Sequence, residues 1–290
     1  MTENWLRRCV GDEERFLAAY WRRTPAVLRP TDPPVDVLPR TELEQLLDHG
    51  LLKVPYIALV RQGGHLPGAD FCRPRVVLGE VVQEYADADA VRTLVRDEGA
   101  TVLLSHVDQW HQGVRALARG LAEQLGRRVE AFHLLTPPGG RGRPVHSDDA
   151  DVLAVQLGGA ARWRVHARPE TGDREGAPPD GDPGEVLLEA VLHPGEVLYA
   201  PRGFAYSADP VGDEPSAHLS LTVREVATAN LYALAQALVT GGPDLPGRPL
   251  DDDALHSAAT DLLTYARTMA AELTPADLIE LARAAMRQTA

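Results

Sequence analysis

Lysine is almost missing from this chain of 290 residues: of 29 basic side chains only Lys53 is a lysine, and the others are arginine. Arginine, alanine, glycine and proline are all abundant, so a GC-rich coding sequence accounts for the shortage, and no function follows from it. Cysteine is as scarce. Two residues, Cys9 and Cys72, exclude a disulfide scaffold, and both are expected as small apolar residues in a core. An excess of positive charge is missing too, because 42 acidic residues outweigh the 29 basic ones to give −13. That balance repels phosphate backbones, which argues against nucleic acid as the direct partner and fits a basic peptide or protein. No stretch approaches the roughly 18 apolar residues of a membrane span. The start, Met1-Thr-Glu-Asn-Trp-Leu-Arg-Arg8, lacks the apolar run of a signal peptide. A cytoplasmic protein without membrane contact is expected. With 44% hydrophobic and 24% charged residues, the chain can bury a large core and carry an appendage, and a collagen-like or disordered chain is excluded.

Hydrophobic periodicity divides the chain into three textures. Residues before about 129 read as short helices. Phe16, Tyr20 and Trp21 recur at i, i+4 and i+5, one helical face, and Thr41-Glu-Leu-Glu44 has the pattern of a capping box with Gly50 as the stop. Val114, Leu117, Leu121 and Leu125 mark the buried face of a longer helix closed by Gly126. Beyond Val129, β-like runs at 131–135, 151–157, 162–166, 186–192, 196–200 and 219–223 alternate with turns, and a Gly/Pro/Asp/Glu-rich solvent loop is expected over 167–184. Strands of that length and spacing predict a barrel or sandwich. From Thr228 the period turns helical again, with Leu231, Leu234 and Leu238 on one face. A helix over 251–273 follows, and Thr274-Pro275 opens the last one as cap and first residue. The expected division is a domain over 1–227, its barrel core at about 100–227, and a helical segment over 228–290. The apolar faces of that segment, which include Leu255, Leu262 and Ile279, are too extensive for an exposed tail and predict a homodimer.

His146-Ser-Asp148 is the first chemical candidate. On a strand, residues i and i+2 share a face, so an imidazole and a carboxylate converge on one point, as a metal site needs. Ten His and 23 Asp in 290 residues make roughly one His-x-Asp expected by chance, and a second stands at His106-Val-Asp108. Context separates them: His146 follows a Pro/Gly-rich turn and precedes a strand, whereas His106 just precedes a helix. The other histidines read as structural, with His49 helix-terminal, His65 and His193 in turns, and His256 on a helix face. Trp163 reads as barrel packing, and Asp251-Asp-Asp253 as a helix N-terminus.

Taken in order, Phe16-Leu-Ala-Ala-Tyr-Trp-Arg-Arg-Thr-Pro-Ala-Val-Leu-Arg29, Thr136-Pro-Pro-Gly-Gly-Arg-Gly142, His146-Ser-Asp-Asp-Ala-Asp-Val-Leu153, Leu157-Gly-Gly-Ala-Ala-Arg-Trp-Arg-Val165 and Leu192-His-Pro-Gly-Glu-Val-Leu-Tyr-Ala-Pro-Arg-Gly203 resemble the JmjC-type ribosomal oxygenases over about residues 14–225. The resemblance implies a mainly β fold with helices: a double-stranded β-helix of jelly-roll or cupin type, a helical N-terminal extension, and C-terminal helices that pair subunits. It also implies Fe(II) and 2-oxoglutarate as cofactors, hydroxylation of a protein side chain, and His146 and Asp148 as metal ligands.

Three positions depart from the family. Its third ligand, a histidine in a Pro-Arg-Gly-x-x-His segment, falls on Tyr206. The basic residue before the strand tryptophan, which anchors the far carboxylate of 2-oxoglutarate, falls on Ala161. The Asn-x-Tyr pair before the Thr-Pro turn reads Phe132-His-Leu134, so an apolar cosubstrate pocket is expected. A buried carboxylate without its cation costs several kcal/mol, and 2-oxoglutarate affinity is expected to fall by about a thousandfold or more. Arg162 and Arg164 point opposite Ala161 by strand alternation and are expected to face solvent.

His218 is the candidate replacement ligand, since with Ser220 and Thr222 it makes one polar strand face opposite Leu219, Leu221 and Val223. It either completes a His146/Asp148/His218 set or stays a cavity histidine. Tyr206 is then a hydrogen-bonding neighbour or a phenolate ligand, and Tyr206 and His218 are the candidate catalytic residues. Three functions remain open. The first is an Fe(II)-dependent hydroxylase acting on a peptide or protein side chain through a non-standard site. The second is a catalytically degenerate member that keeps the barrel as a protein- or peptide-binding module, and the third is a cupin-like enzyme using another metal on a small molecule.

Overall fold

The computed structural model describes residues 3–167, 183–242, 244, 245, 247, 248 and 251–288. Of the solvent loop expected over 167–184, residues 168–182 lie outside the described residues. The strands are β1 (Ala26–Leu28), β2 (Ile57–Arg61), β3 (Gly64–His65), β4 (Cys72–Val77), β5 (Glu80–Ala86), β6 (Thr101–Leu104), β7 (Arg128–Thr136), β8 (Asp151–Gly158), β9 (Ala160–His166), β10 (Val186–Leu192), β11 (Val197–Ala200), β12 (Tyr206–Val211) and β13 (Ser216–Arg224). Eight of them form one sheet in the order β1-β11-β8-β13-β7-β6-β2-β3, three form a second in the order β10-β9-β12, and β4 and β5 make a separate hairpin.

The two larger sheets pack face to face. Val152 and Ala154 of β8 with Leu198 and Ala200 of β11 meet Ala161, Trp163 and Val165 of β9 and Leu192 of β10 in one apolar layer. The opposite side chains of the same strands, among them Leu153, Val155, Val197, Leu219, Leu221 and Val223, join a second core with the helices. That double burial explains why 151–157 reads as a continuous apolar run rather than a clean alternation. Antiparallel pairing of β8 with β11 and β13, and of β9 with β10 and β12, gives the mainly β jelly-roll class.

The N-terminal part corrects the expectation of helices alone. β2 and β6 extend the large sheet, Ile57 opposite Leu104 and Leu59 opposite Val102. Their runs are short and apolar without alternation, which periodicity cannot tell from a buried helix turn. Thr41 caps nothing: the helix Arg40–His49 begins one residue earlier, behind Pro39, and has no side-chain cap hydrogen bond. Gly50 does stop it, in the left-handed region. Phe16–Tyr20 is a π-helical turn in which the Trp21 N–H donates to the Phe16 carbonyl at 2.9 Å. A spacing of five therefore brings Phe16 and Trp21 together, at 5.6 Å, and both meet Tyr199. The helix Gln112–Leu125 buries Val114, Leu117 and Leu121 as expected, and Cys9 and Cys72 are both free and buried.

The chain forms two compact units, Met1–Leu125 with Val129–Arg224, and Gly126–Arg128 with Glu225–Ala290. The second contains helices Thr228–Thr240, Asp252–Glu272 and Pro275–Gln288. Asp251 caps the middle one by accepting from the Ala254 N–H, and Thr274 and Asp277 form a reciprocal box on the last. Among the described residues no helix is long and apolar enough to cross a membrane.

Candidate functional site

A cavity of about 240 Å³ opens between the two sheets of the first unit. The even-numbered residues of β13 supply one wall, His218, Ser220, Thr222 and Arg224, as strand parity requires, while β7 supplies Phe132, Leu134 and Thr136. Trp163 of β9 and Tyr206 and Ala208 of β12 face them from the smaller sheet. The segment between β7 and β8 closes the mouth with Arg143, His146 and Asp148.

Backbone pairing holds that segment in place. The His146 N–H donates to the Tyr206 carbonyl at 3.1 Å and the Tyr206 N–H to the His146 carbonyl at 2.8 Å, an isolated antiparallel bridge. Gly142 makes the approach feasible, because a Cβ there would lie 2.0 Å from the Ala208 carbonyl oxygen. The four rings then follow in a row: His146 to Tyr206 at 4.6 Å, Tyr206 to Trp163 at 6.1 Å, and Trp163 edge-on to His218 at 4.8 Å. The Tyr206 hydroxyl donates to Asp148 Oδ2 in a short hydrogen bond.

Among the three aspartates of His146-Ser-Asp-Asp-Ala-Asp151, only Asp148 lines the cavity. Asp149 pairs with Arg202, and Asp151 is buried, accepting from the Tyr199 hydroxyl at 2.7 Å and the Arg202 N–H at 3.3 Å. Those two fix the β8 to β11 corner.

Burial sets the charge states. It holds the His146 imidazole below its ordinary value, Arg143 adding to that and Asp148 opposing it. His218 is pushed down to about 3 by burial, with His133, His146 and Arg143 contributing. Tyr206 is driven well above the ordinary phenol value by burial and by the adjacent Asp148 carboxylate, so its proton is held tightly. His146 Nδ1 lies 2.7 Å from the Pro144 carbonyl oxygen. A carbonyl can only accept, so Nδ1 carries the proton and Nε2 keeps a free lone pair. His218 is 6% exposed, and among the described residues its ring makes no hydrogen bond.

Two neutral imidazoles and one carboxylate around a single cavity are the donor types of a divalent metal site, and the free Nε2 of His146 and the unbonded ring of His218 fit that use. Among the described residues, however, no three His, Cys, Asp or Glu side chains are gathered tightly enough to grip an ion as they stand. The set is a donor inventory around one space. Tyr206 is spoken for by Asp148.

The pocket itself corrects the expectation of an apolar cosubstrate site. Phe132 and Leu134 do line it, yet so do Arg143 and Arg224. Ala161 is buried in the layer between the sheets. Arg162 and Arg164 point outward to Glu189 and Asp209. His65, expected in a turn, sits on β3 and lines the cavity, and Trp163 both packs the core and forms cavity wall. His65 and Arg143 left no sequence signal, because nothing periodic marks where a loop or two-residue strand delivers a side chain.

A family model described as JmjC domain matches residues 100–231. Ribosomal oxygenase 1 of Gallus gallus is 29% identical over 234 residues, 75% of this chain and 36% of the relative. The bifunctional lysine-specific demethylase and histidyl-hydroxylase NO66 of Drosophila sechellia is 30% identical over 148 residues, 49% of this chain and 23% of the relative. The chain thus spans about a quarter to a third of these two curated relatives. Among solved structures, E. coli YcfD covers 92% of the chain and 69% of its own at TM-score 0.60 and 22% identity. Another structure of that ribosomal oxygenase, in complex with cobalt and 2-oxoglutarate, covers 87% of this chain and 65% of its own at TM-score 0.54 and 22% identity. At such identity the likeness speaks for the fold.

Proposed function

We propose, for a chain that belongs to the JmjC-type ribosomal oxygenase family, a metal-dependent hydroxylase of a peptide or protein side chain, with His146, Asp148 and His218 as its metal-binding set. The observation that carries this is His218: a neutral imidazole, buried, without a hydrogen bond among the described residues, on the wall of the cavity that holds His146 and Asp148. Fe(II) and 2-oxoglutarate are the cofactors of choice, given the cobalt and 2-oxoglutarate complex of YcfD. When bound, they would supply the oxidising chemistry. This chain's residues do the rest. His146 offers Nε2 because the Pro144 carbonyl fixes its tautomer. Tyr206 orients the Asp148 carboxylate through its hydroxyl. Leu103, Phe132 and Leu134 keep one wall dry. With a net charge of −13, a basic protein is the substrate class that fits. The helices over 228–290 pair two subunits, using Tyr232, Leu255, Leu263 and Leu281, all exposed.

The rival is a catalytically degenerate binding module, favoured by the absence of a gathered three-donor cluster among the described residues. Metal content decides between them, followed by conversion of 2-oxoglutarate to succinate. Stoichiometric metal, lost in His146→Ala, Asp148→Ala and His218→Ala alike, is expected. Protein that binds no Fe(II), Mn(II), Ni(II) or Zn(II) at micromolar levels leaves the binding module as the function.

A further inference from the structure

Two arginines line the cavity, and they differ in one respect. Arg224 is already paired, its Nε 2.6 Å from Glu130 Oε2. Arg143 is half-buried among His146, Asp148, Tyr206 and His218, and among the described residues it makes no hydrogen bond or ion pair. A half-buried guanidinium on a cavity wall without a carboxylate is an incomplete ion pair, and the missing half is an anion with oxygen acceptors.

We infer that Arg143 is the receptor for the distal carboxylate of a small 2-oxo dicarboxylic acid, supplying from the β7–β8 segment the charge that Ala161 lacks. The inference rests on the metal site proposed above. With a divalent ion in place, the ion, Asp148 and Arg143 leave two positive charges in the cavity. A dianion cancels them and a monocarboxylate does not. The cavity of about 240 Å³ admits a metabolite of that size, and the Ser220 and Thr222 hydroxyls on the facing wall offer further donors to its oxygens. Arg162 and Arg164 cannot serve, because each is engaged by carboxylates on the outer face.

The test compares 2-oxoglutarate with 2-oxobutyrate, which chelates a metal alike but has no second carboxylate, by calorimetry on the Mn(II)-loaded full chain. A hydrogen-bonded charge pair implies a preference for the dicarboxylate of about tenfold to a hundredfold. Arg143→Met is expected to erase that preference by weakening 2-oxoglutarate alone, and Arg143→Lys to keep part of it. Thermal melting of the metal-free variants checks that they fold. Metal uptake without any preference, or a preference that survives Arg143→Met, overturns the inference and leaves the oxygenase proposal standing. Succinate on metal-free protein separates the reverse case. Binding that depends on Arg143 in a protein that takes up no metal upholds the anion site and rejects the oxygenase, while no binding of either kind rejects both.

Discussion

Replacing His218 with leucine separates a ligand from a packing residue, because the two roles predict opposite signs. The imidazole is 6% exposed and finds no hydrogen-bond partner among the described residues, while its ring meets Trp163 edge-on at 4.8 Å. A buried polar group left unpaired costs about 1–3 kcal/mol, and the aromatic contact returns about 0.5–1.5 kcal/mol. Leucine of similar size gives up the ring contact and removes the unpaired nitrogens. In chelator, His218→Leu is therefore expected to be between neutral and about 2 kcal/mol more stable than wild type, or up to several degrees in melting temperature at roughly 2–4 °C per kcal/mol. Metal reverses the ranking. Wild type gains about 2.7 kcal/mol at a metal concentration one hundred times its Kd, and the variant gains little at the same concentration. Urea titrations with chelator and with Mn(II) measure both quantities. A variant destabilised by more than about 1 kcal/mol in chelator that keeps the full metal increment would refute the reasoning, since His218 would then be a structural residue.

Tyr206→Phe removes the hydroxyl that orients Asp148 and should cost about ten- to a hundredfold in metal affinity, less than Asp148→Ala. The iron(III) form of wild type should show no visible phenolate charge-transfer band, whose appearance would make Tyr206 a ligand. His133 is 2% exposed and its Nδ1 has no partner among the described residues, and burial pushes it down from 6.5 to about 4. The unfolded chain thus takes up a proton that the folded one refuses, so stability is full above about pH 6.5 and is lost as pH falls toward 4, at about 1.4 kcal/mol per pH unit. His133→Leu should flatten that slope in urea titrations between pH 6.5 and 4, and an unchanged slope would contradict it. Light scattering at micromolar concentration should give a dimer through residues 228–290, and a monomer would reject that pairing.

Much of the fold was legible because turns punctuate it. Gly158-Gly159 and His193-Pro-Gly195 bracket runs that became β8, β9, β10 and β11 within a residue or two. Gly159 has φ +56, and a Cβ there would sit 2.3 Å from the Pro215 carbonyl oxygen, so the dipeptide marked a real constraint. The polar face of His218, Ser220 and Thr222 was legible because a two-residue period needs no knowledge of the partner strand. β2 and β6 were not, since four or five apolar residues carry no period. Nor was the helix start at Arg40: proline before it can precede a first turn as readily as threonine can cap one, and only the backbone shows which was used.

The site was legible where strand parity sets a side chain, as at His218, or where a motif marks it, as at His146 and Asp148 on the segment between β7 and β8, and illegible where a loop alone delivers it. Ala161 was read as a lost anchor, and the loss of a cation at that position stands: it lies in the apolar layer, and its outward neighbours Arg162 and Arg164 are held by Glu189 and Asp209. The consequence drawn from it, an apolar pocket, did not hold. Arg143 enters from the segment between β7 and β8, where its direction depends on the His146–Tyr206 bridge and on the close approach of Gly142 to Ala208. Both contacts involve β12, the strand that begins at the departed ligand position. Tyr206 thus stands where the resemblance expects a metal-binding histidine, pairs its backbone with the segment that carries Arg143, and holds Asp148 by its hydroxyl. The altered ligand position and the segment that carries Arg143 meet at one residue, and Ala161→Arg would not restore a family-type anchor, because it would bury a cation in the apolar layer beside Trp163 and Val165.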